Sequence, residues 1–392
     1  MINDADAVER AARAFLKSYD EPAPVLAKAP GRVNVIGEHT DYNDGFVLPI
    51  ALPFVTAIAA RPRAAGDRTV DMTSEGFEPT AFSLDDDPLS TDGWGRYLHG
   101  VASVLADWPD MEALIPGWEG VVATDIPAGA SLSSSAALEV ATGLILAAMT
   151  GVELSVIDLA KIGQRVENDI MGLPSGLLDQ LASGGGRAGH ATLIDCRDLS
   201  MRTVPFPDGA TIVVLDTGTR RELVESEYAD RQATCAAAAD TLGLPSLRDA
   251  TIDDLGRLPD PVMVKRVRHV VSENARTLAA VEAMEAGRID DLGRLMTASH
   301  QSLRDDYDVS GPALDASVEA SLECAGCLGA RMTGGGFAGG AIALVIDDEV
   351  KRFCTELTQR YVPPIEQPGV APLRLYPTPP SSGAVLLERG TD

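Results

Sequence analysis

Residues 125–137 read Asp-Ile-Pro-Ala-Gly-Ala-Ser-Leu-Ser-Ser-Ser-Ala-Ala. This segment lies between a strand-like run and an apolar run of helical length. Small residues after Pro127 (Gly129, Ser131, Ser133, Ser134, Ser135 and Ala136) leave backbone N–H groups open. The start of the following helix adds unpaired donors and the positive end of the helix dipole. Together these make an anion site that needs no lysine, and a serine hydroxyl there can also ligate Mg²⁺. One serine is enough to cap a helix. Three in succession behind a glycine point beyond capping, to phosphate.

A second polar group interrupts apolar surroundings at residues 31–45. Glu38, His39 and Asp41 set donors and acceptors close together there. A ring bearing several hydroxyls needs such a cluster, and the alternative is a charged surface turn. Asp179 lies in Leu-Pro-Ser-Gly-Leu-Leu-Asp-Gln-Leu, a carboxylate among leucines. Desolvation would raise its pKa and a nearby arginine would lower it. Such a group can take or orient the proton of a hydroxyl, or serve as a buried structural aspartate or helix cap.

Two segments fit G-x-G-x-x-G, at Gly184, Gly186, Gly189 and at Gly334, Gly336, Gly339. A dinucleotide fingerprint follows a strand and opens a helix. Both of these run into strand-like segments, which excludes that reading. The first reads as a tight turn. The second is dense enough in glycine to let the backbone approach a ligand closely.

Composition narrows the classes. The chain has 392 residues, enough for about two domains. Its formal net charge of −26 argues against nucleic acid and against an anionic membrane surface as partners. None of its five lysines follows a glycine, so the Walker A loop is absent; no His-Arg-Asp or His-Glu-x-x-His occurs either. Five cysteines, an odd and sparse set, read as reduced thiols in a cytoplasmic protein, with Cys324 and Cys327 incidental. The acidic amphipathic N-terminus does not read as a secretory signal. The longest apolar run, residues 140–152, suits a buried helix better than a membrane span of about 20 residues.

The elements that must carry these groups follow from periodicity. Helices are expected over residues 4–19, 94–105, 134–150, 154–169, 226–242, 261–286 and 289–304. Strands are expected over 25–36, 46–60, 120–124, 191–194, 211–216, 341–346 and 383–387. Strands mixed with clustered helices indicate an α+β fold. Proline and glycine at 205–209 divide the chain into residues 1–205 and 206–392.

Taken together, these residues resemble the galactokinases of the GHMP sugar and metabolite kinase superfamily. Three motifs stand in that family's order: residues 31–42 (Gly-Arg-Val-Asn-Val-Ile-Gly-Glu-His-Thr-Asp-Tyr), the 127–137 loop, and residues 332–337 (Met-Thr-Gly-Gly-Gly-Phe). Residues 221–228 and 302–306 also resemble the family. The resemblance implies a two-lobed α+β fold, split at residue 205, with the active site between the lobes. It also implies transfer of the ATP γ-phosphoryl group to the C1 hydroxyl of α-D-galactose. Arg32 and Asp179 would flank the reacting hydroxyl, and Glu38, His39, Asp41, Gly176 and Tyr228 would bind the sugar. The loop (Pro127, Gly129, Ser131, Ser133, Ser134, Ser135, Ala136), with Gly335, Gly336 and Trp94, would hold ATP. Ser134 and Glu167 would ligate Mg²⁺. The implied partners are a small-molecule sugar and ATP, and the expected state is a monomer or weak homo-oligomer. Alternatives are a kinase for galacturonate, L-arabinose or N-acetylgalactosamine, or a sensor that binds galactose and ATP without turnover. Two departures stand out: Ser131 and Ala338 occupy positions where the family usually has glycine. Each would cost about 1 kcal/mol if its φ must be positive.

Overall fold

The computed structural model describes residues 6–109, 111, 114–127, 129–173, 175–219, 224–364 and 371–387. The first half begins with α1 (Ala7–Tyr19), capped by the Asp6 carboxylate accepting from the Glu9 N–H at 2.8 Å. Then come β1 (Val25–Asn34), β2 (Phe46–Val47), β3 (Pro49–Pro62), β4 (Thr69–Ser74), β5 (Phe77–Ser83), α2 (Gly95–Ala106) and β6 (Trp118–Thr124). The remaining elements of this half are α3 (Ser134–Thr150), α4 (Val156–Arg165), α5 (Leu178–Gly185), β7 (His190–Asp195) and β8 (Ser200–Pro205). The second half holds β9 (Ala210–Asp216), α6 (Val224–Leu242), α7 (Pro261–Glu285), α8 (Ile289–Ser302) and α9 (Pro312–Leu322). It continues with β10 (Cys327–Met332), β11 (Gly340–Ile346), α10 (Val350–Arg360), β12 (Arg374–Thr378) and β13 (Val385–Leu386).

The α+β expectation holds. A six-stranded sheet runs β13-β1-β3-β6-β4-β5, a four-stranded sheet β10-β11-β9-β12, and a three-stranded sheet β2-β7-β8. Among the described residues, the pairings are antiparallel except β4 with β6. The two-residue alternation of a strand sorts the core. Ala57 and Ala59 of β3 and Val121 and Ala123 of β6 face α1, while Ile58, Ala60 and Val122 face the main cluster. In β9, Ile212 and Val214 join that same cluster, while Val213 and Leu215 face a second one under α6, α7 and α9.

The main cluster therefore crosses the turn at 205–209, taking in Val281 and Met284 of α7 and Ile342 of β11. The last strand also crosses it: Lys28 of β1 pairs with Val385 of β13. A cut at residue 205 thus leaves β13 in the first half's sheet.

Three elements differ from expectation; one is the helix expected over 289–304, which ends at Ser302 and continues as a π turn, Leu303–Tyr307. The strand expected over 46–60 is broken at Leu48, whose N–H donates to Ile36 O and to Asn34 Oδ1. That draws Phe46–Val47 into another sheet. The helix expected over 154–169 ends at Arg165 and continues as a π turn, Val166–Met171, closed by Gly172. Periodicity also gives no sign of β4, β5, β8, β10, β12, α5, α9 and α10. The Leu-Gly-Ala-Arg stretch inside β10, for instance, puts a charge at a core position. The five cysteines are free thiols, and burial pushes Cys327 up to about 12. Among the described residues, no helix is long and apolar enough to cross a membrane.

Candidate active site

The end of β1, the turn behind it, the π turn, the start of α5 and the loop between β10 and β11 meet around a cleft of about 310 Å³. Arg32, Asn34, Glu38, His39, Asp41, Glu167, Leu173, Ser175, Gly176, Leu178, Asp179, Tyr228, Gly334 and Gly335 line it. Both residues expected to be catalytic lie in this lining, as do all five expected to bind the sugar, with Glu167 and Gly335. Trp94 and the serine loop do not. Trp94 Nε1–H donates to Glu78 O in β5 at 2.9 Å.

Arg32 is the hub. A register shift in β1 between Pro30 and Arg32 lets the Arg32 N–H leave the sheet and donate to Leu132 O of the loop at 3.1 Å. Its side chain grips both oxygens of Asp179, Nε to Oδ1 and Nη2 to Oδ2, each at 2.6 Å, while Nη1 donates to Ser131 O at 2.9 Å. The planar guanidinium suits this bidentate task. Ser133 Oγ donates a further bond to Asp179 Oδ2 at 2.5 Å. Asp179 therefore has donors on both oxygens and one fixed orientation, in the first turn of α5.

The loop has the shape of an anion cradle. Gly129, Ser131 and Ser133 take φ of 70°, 60° and 59°, and the residues between them are not left-handed. Such alternation turns successive N–H groups to one side, forming a concavity that binds anions. Ser133 makes no side-chain cap on α3, so the ordinary capping role does not apply to it. Ser131 does take the conformation that favours glycine, while Ala338 does not; its neighbour Phe337, at φ 63°, does. Gly339 permits the close approach: a Cβ there would lie 2.3 Å from Ser131 Oγ. Ala128 of this loop and residues 221–223 lie outside the described residues.

Acid groups crowd the far side of the cleft. Glu167, carried by the π turn, accepts from Ser135 Oγ at 3.2 Å. Burial first, then Asp179, raises its pKa. The serine beside Glu167 is thus Ser135, whereas Ser134 is exposed. Burial, helped by Glu167, pushes Glu139 of α3 well above the usual carboxylate range; Gln180 Nε2 donates to it at 2.9 Å.

On the other wall, Glu38 is buried with Arg331 Nη2 at 3.0 Å and accepts from Thr333 Oγ1 at 2.9 Å, Gly334 N–H at 2.8 Å and Asn34 Nδ2. Burial pushes its carboxyl up against the pull of Arg331. This carboxylate thus fastens the 31–42 motif to the 332–337 motif. Arg331, wholly buried, also donates to Asn34 O at 3.0 Å and Val35 O at 3.2 Å. Sequence reasoning missed Arg331, although an arginine in an apolar strand is itself a signal. It also missed Asn34, which stands inside a motif already singled out.

His39 is buried at φ 61°. Its Nδ1 meets the Tyr42 hydroxyl at 2.8 Å and its Nε2 meets Gly335 O at 3.2 Å. Burial, then the neighbouring His269, pushes its pKa down to about 3, so the ring is neutral. Asp41 touches Gly176, where a Cβ would lie 2.0 Å from Oδ2, so a larger residue there would have to displace the Asp41 carboxylate. Burial and then Asp179 push Asp41 up to about 6.

Known proteins match this arrangement. The galactokinase galactose-binding signature matches residues 13–62, the GHMP kinase N-terminal domain residues 96–187, and the GHMP kinase C-terminal domain residues 280–363. A galactokinase of Chloroflexus aggregans is 45% identical over 360 residues, covering 89% of this chain and 90% of that one. A galactokinase of Roseiflexus sp. is 43% identical over 357 residues, with coverage of 88% and 90%. The crystal structure of Lactococcus lactis galactokinase complexed with galactose superposes with a TM-score of 0.87 at 35% identity, over 96% of this chain and 98% of that one. Methanococcus jannaschii mevalonate kinase, at 18% identity and a TM-score of 0.64 over 91% and 98% of the two chains, shares the fold.

The raised pKa of Asp41 has a consequence for stability. A carboxyl whose folded pKa lies above its unfolded value, near 3.8, takes up a proton on folding. Its stabilising contribution is complete below about pH 4 and is lost as pH rises through about 6. Asp41→Asn, which never ionises, should therefore raise the melting temperature relative to wild type at pH 8 and by much less at pH 4.5. Thermal melts of the ligand-free protein test this; an equal shift at both pH values would refute it.

Proposed function

The chain belongs to the galactokinase family of the GHMP kinases, which transfer the γ-phosphoryl group of ATP to the C1 hydroxyl of galactose, and we propose the residue roles that follow. The observation that carries them is the three-way grip of Arg32 on Asp179 and on the serine loop.

The sugar occupies the cleft between Glu38, His39, Asp41, Gly176 and Tyr228. Asp179 faces the C1 hydroxyl and orients it, receiving its proton as the C1 oxygen forms the new bond to phosphorus. The bond from the γ-phosphorus to the bridging oxygen breaks, and ADP leaves with that oxygen. Phosphoryl transfer of this kind asks the protein mostly for positioning and charge stabilisation. Arg32 does both, since the same guanidinium that fixes Asp179 supplies positive charge beside the reacting oxygens.

The 127–136 loop receives the phosphates on its backbone N–H groups and the N-terminus of α3. Gly335 and Gly336 are assigned to the nucleotide, and Trp94 to the adenine side, from their motifs alone; Gly335 also lines the sugar cleft.

Mg²⁺ fits this donor set. A buried carboxylate, its pKa raised beside another carboxylate and meeting a serine hydroxyl, is the hard oxygen environment that this ion prefers. Among the described residues no group of three or more His, Cys, Asp or Glu forms a metal cage. Mg²⁺ needs few protein ligands when phosphates complete its shell. Glu167 with Ser135, in place of Ser134, would hold it, and when bound it neutralises phosphate charge.

Three outcomes test these roles. With ATP and Mg²⁺, galactose should be converted to its 1-phosphate with release of ADP. A tenfold higher kcat/KM for galacturonate, L-arabinose or N-acetylgalactosamine would overturn the substrate. Asp179→Asn should lower kcat by about 10²–10⁴ while leaving ATP affinity near wild type; near-normal turnover would remove Asp179 from catalysis. Ser135→Ala should raise the Mg²⁺ concentration needed for half-maximal rate well above that of Ser134→Ala, and the reverse order would restore Ser134 as the ligand.

A further inference from the structure

The 302–306 segment, unused in the roles above, leads into Tyr307. The π turn Leu303–Tyr307 is fixed through its carbonyls: Arg266 Nη1 donates to Asp306 O at 2.6 Å and Arg231 Nε to Tyr307 O at 3.1 Å. That places the buried Tyr307 ring 4.9 Å from His39 and 4.4 Å from His269. From the cleft inward, His39 Nδ1 meets the Tyr42 hydroxyl at 2.8 Å and Tyr42 meets the Tyr307 hydroxyl at 2.8 Å. Tyr307 in turn meets Cys235 Sγ at 3.0 Å.

The proton positions along this chain follow from one end. Gly335 O can only accept, so His39 Nε2 carries the hydrogen. His39 Nδ1 is then an acceptor and must receive the Tyr42 O–H. Tyr42, its proton committed, accepts from Tyr307, and Tyr307 accepts from the Cys235 thiol. Burial keeps that thiol protonated, its pKa raised, and keeps the imidazole neutral.

We propose that Tyr42 and Tyr307 are positioning residues whose hydroxyl chain, ending at the Cys235 thiol, holds His39 as the Nε2–H tautomer, so that the imidazole meets the sugar only as a hydrogen-bond donor. This rests on His39 facing the sugar. A hydroxyl oxygen of the substrate then accepts from Nε2–H, sharing a donor that the 3.2 Å contact to Gly335 O leaves loosely held.

Nitrogen-15 NMR of the histidine side chains in the sugar-free protein reads the tautomer directly, with the His39 signals assigned by their loss in His39→Asn. Wild type should show a protonated Nε2 and a hydrogen-bonded, unprotonated Nδ1, unchanged from pH 5 to 8. Tyr307→Phe, which removes no atom touching His39 nitrogen, should shift the Nδ1 signal. It should also raise the galactose KM about tenfold, the scale of one hydrogen bond, with the ATP KM within twofold. Tyr42→Phe should do more, and Cys235→Ala less in the same direction. If Tyr307→Phe does not fold, the latter two carry the comparison. A purely structural role would lower stability but leave the Nδ1 signal of folded protein in place. An Nδ1–H tautomer in wild type would overturn the relay, as would variants with unchanged Nδ1 signals and galactose KM. The expected tautomer in a protein that binds galactose equally well as His39→Asn would instead overturn the sugar-facing role on which the inference rests.

Discussion

One guanidinium orders the site. Arg32 takes Asp179 with two nitrogens and the serine loop with a third. The carboxylate proposed to face the sugar and the loop proposed to face ATP are therefore set against each other by a rigid planar group. Reaction between two bound molecules depends on such a fixed distance, because much of the barrier to a bimolecular step is the freedom the partners must lose. A lysine at this position would supply charge but could not hold both segments in one plane.

A second buried pair does the same for the opposite wall. Glu38 and Arg331 join the turn after β1 to the glycine loop before β11, so the two halves of the chain meet at the site through charge as well as through a common apolar cluster. Buried ion pairs of this kind are weak evidence for stability. This pair fixes the turn after β1 against the glycine loop before β11, and residues of both line the cleft. The overall charge of −26 no longer conflicts with a polyanionic substrate. The loop proposed to hold the phosphates offers backbone N–H groups and a helix end, which carry no formal charge.

Much of this was legible in the sequence because the chemistry sits in contiguous motifs. The serine loop and α3 are local: small residues, a glycine and an apolar run specify them without help from the rest of the chain. The same holds for Glu38, His39 and Asp41 in one turn. What stayed hidden depends on segments distant in sequence. Ser135 rather than Ser134 lies beside Glu167, and a π turn, not an α-helix, carries that glutamate. Periodicity cannot distinguish the two. Arg331 breaks the pattern of an apolar strand, so β10 went unseen for the very residue that matters in it. The break at Leu48 arises from bonds to Asn34 and Ile36, which only the folded turn brings near.

The pairing of Lys28 with Val385 bears on how the molecule comes into being. β1 is made early on the ribosome, yet its outer neighbour is made hundreds of residues later. The first sheet must wait with an open edge, and contacts so distant along the chain close slowly. An unpaired edge strand is a template for the wrong neighbour. Newly made chains are thus exposed to mispairing at Ala27 and Lys28 of β1 until β13 arrives to pair with them.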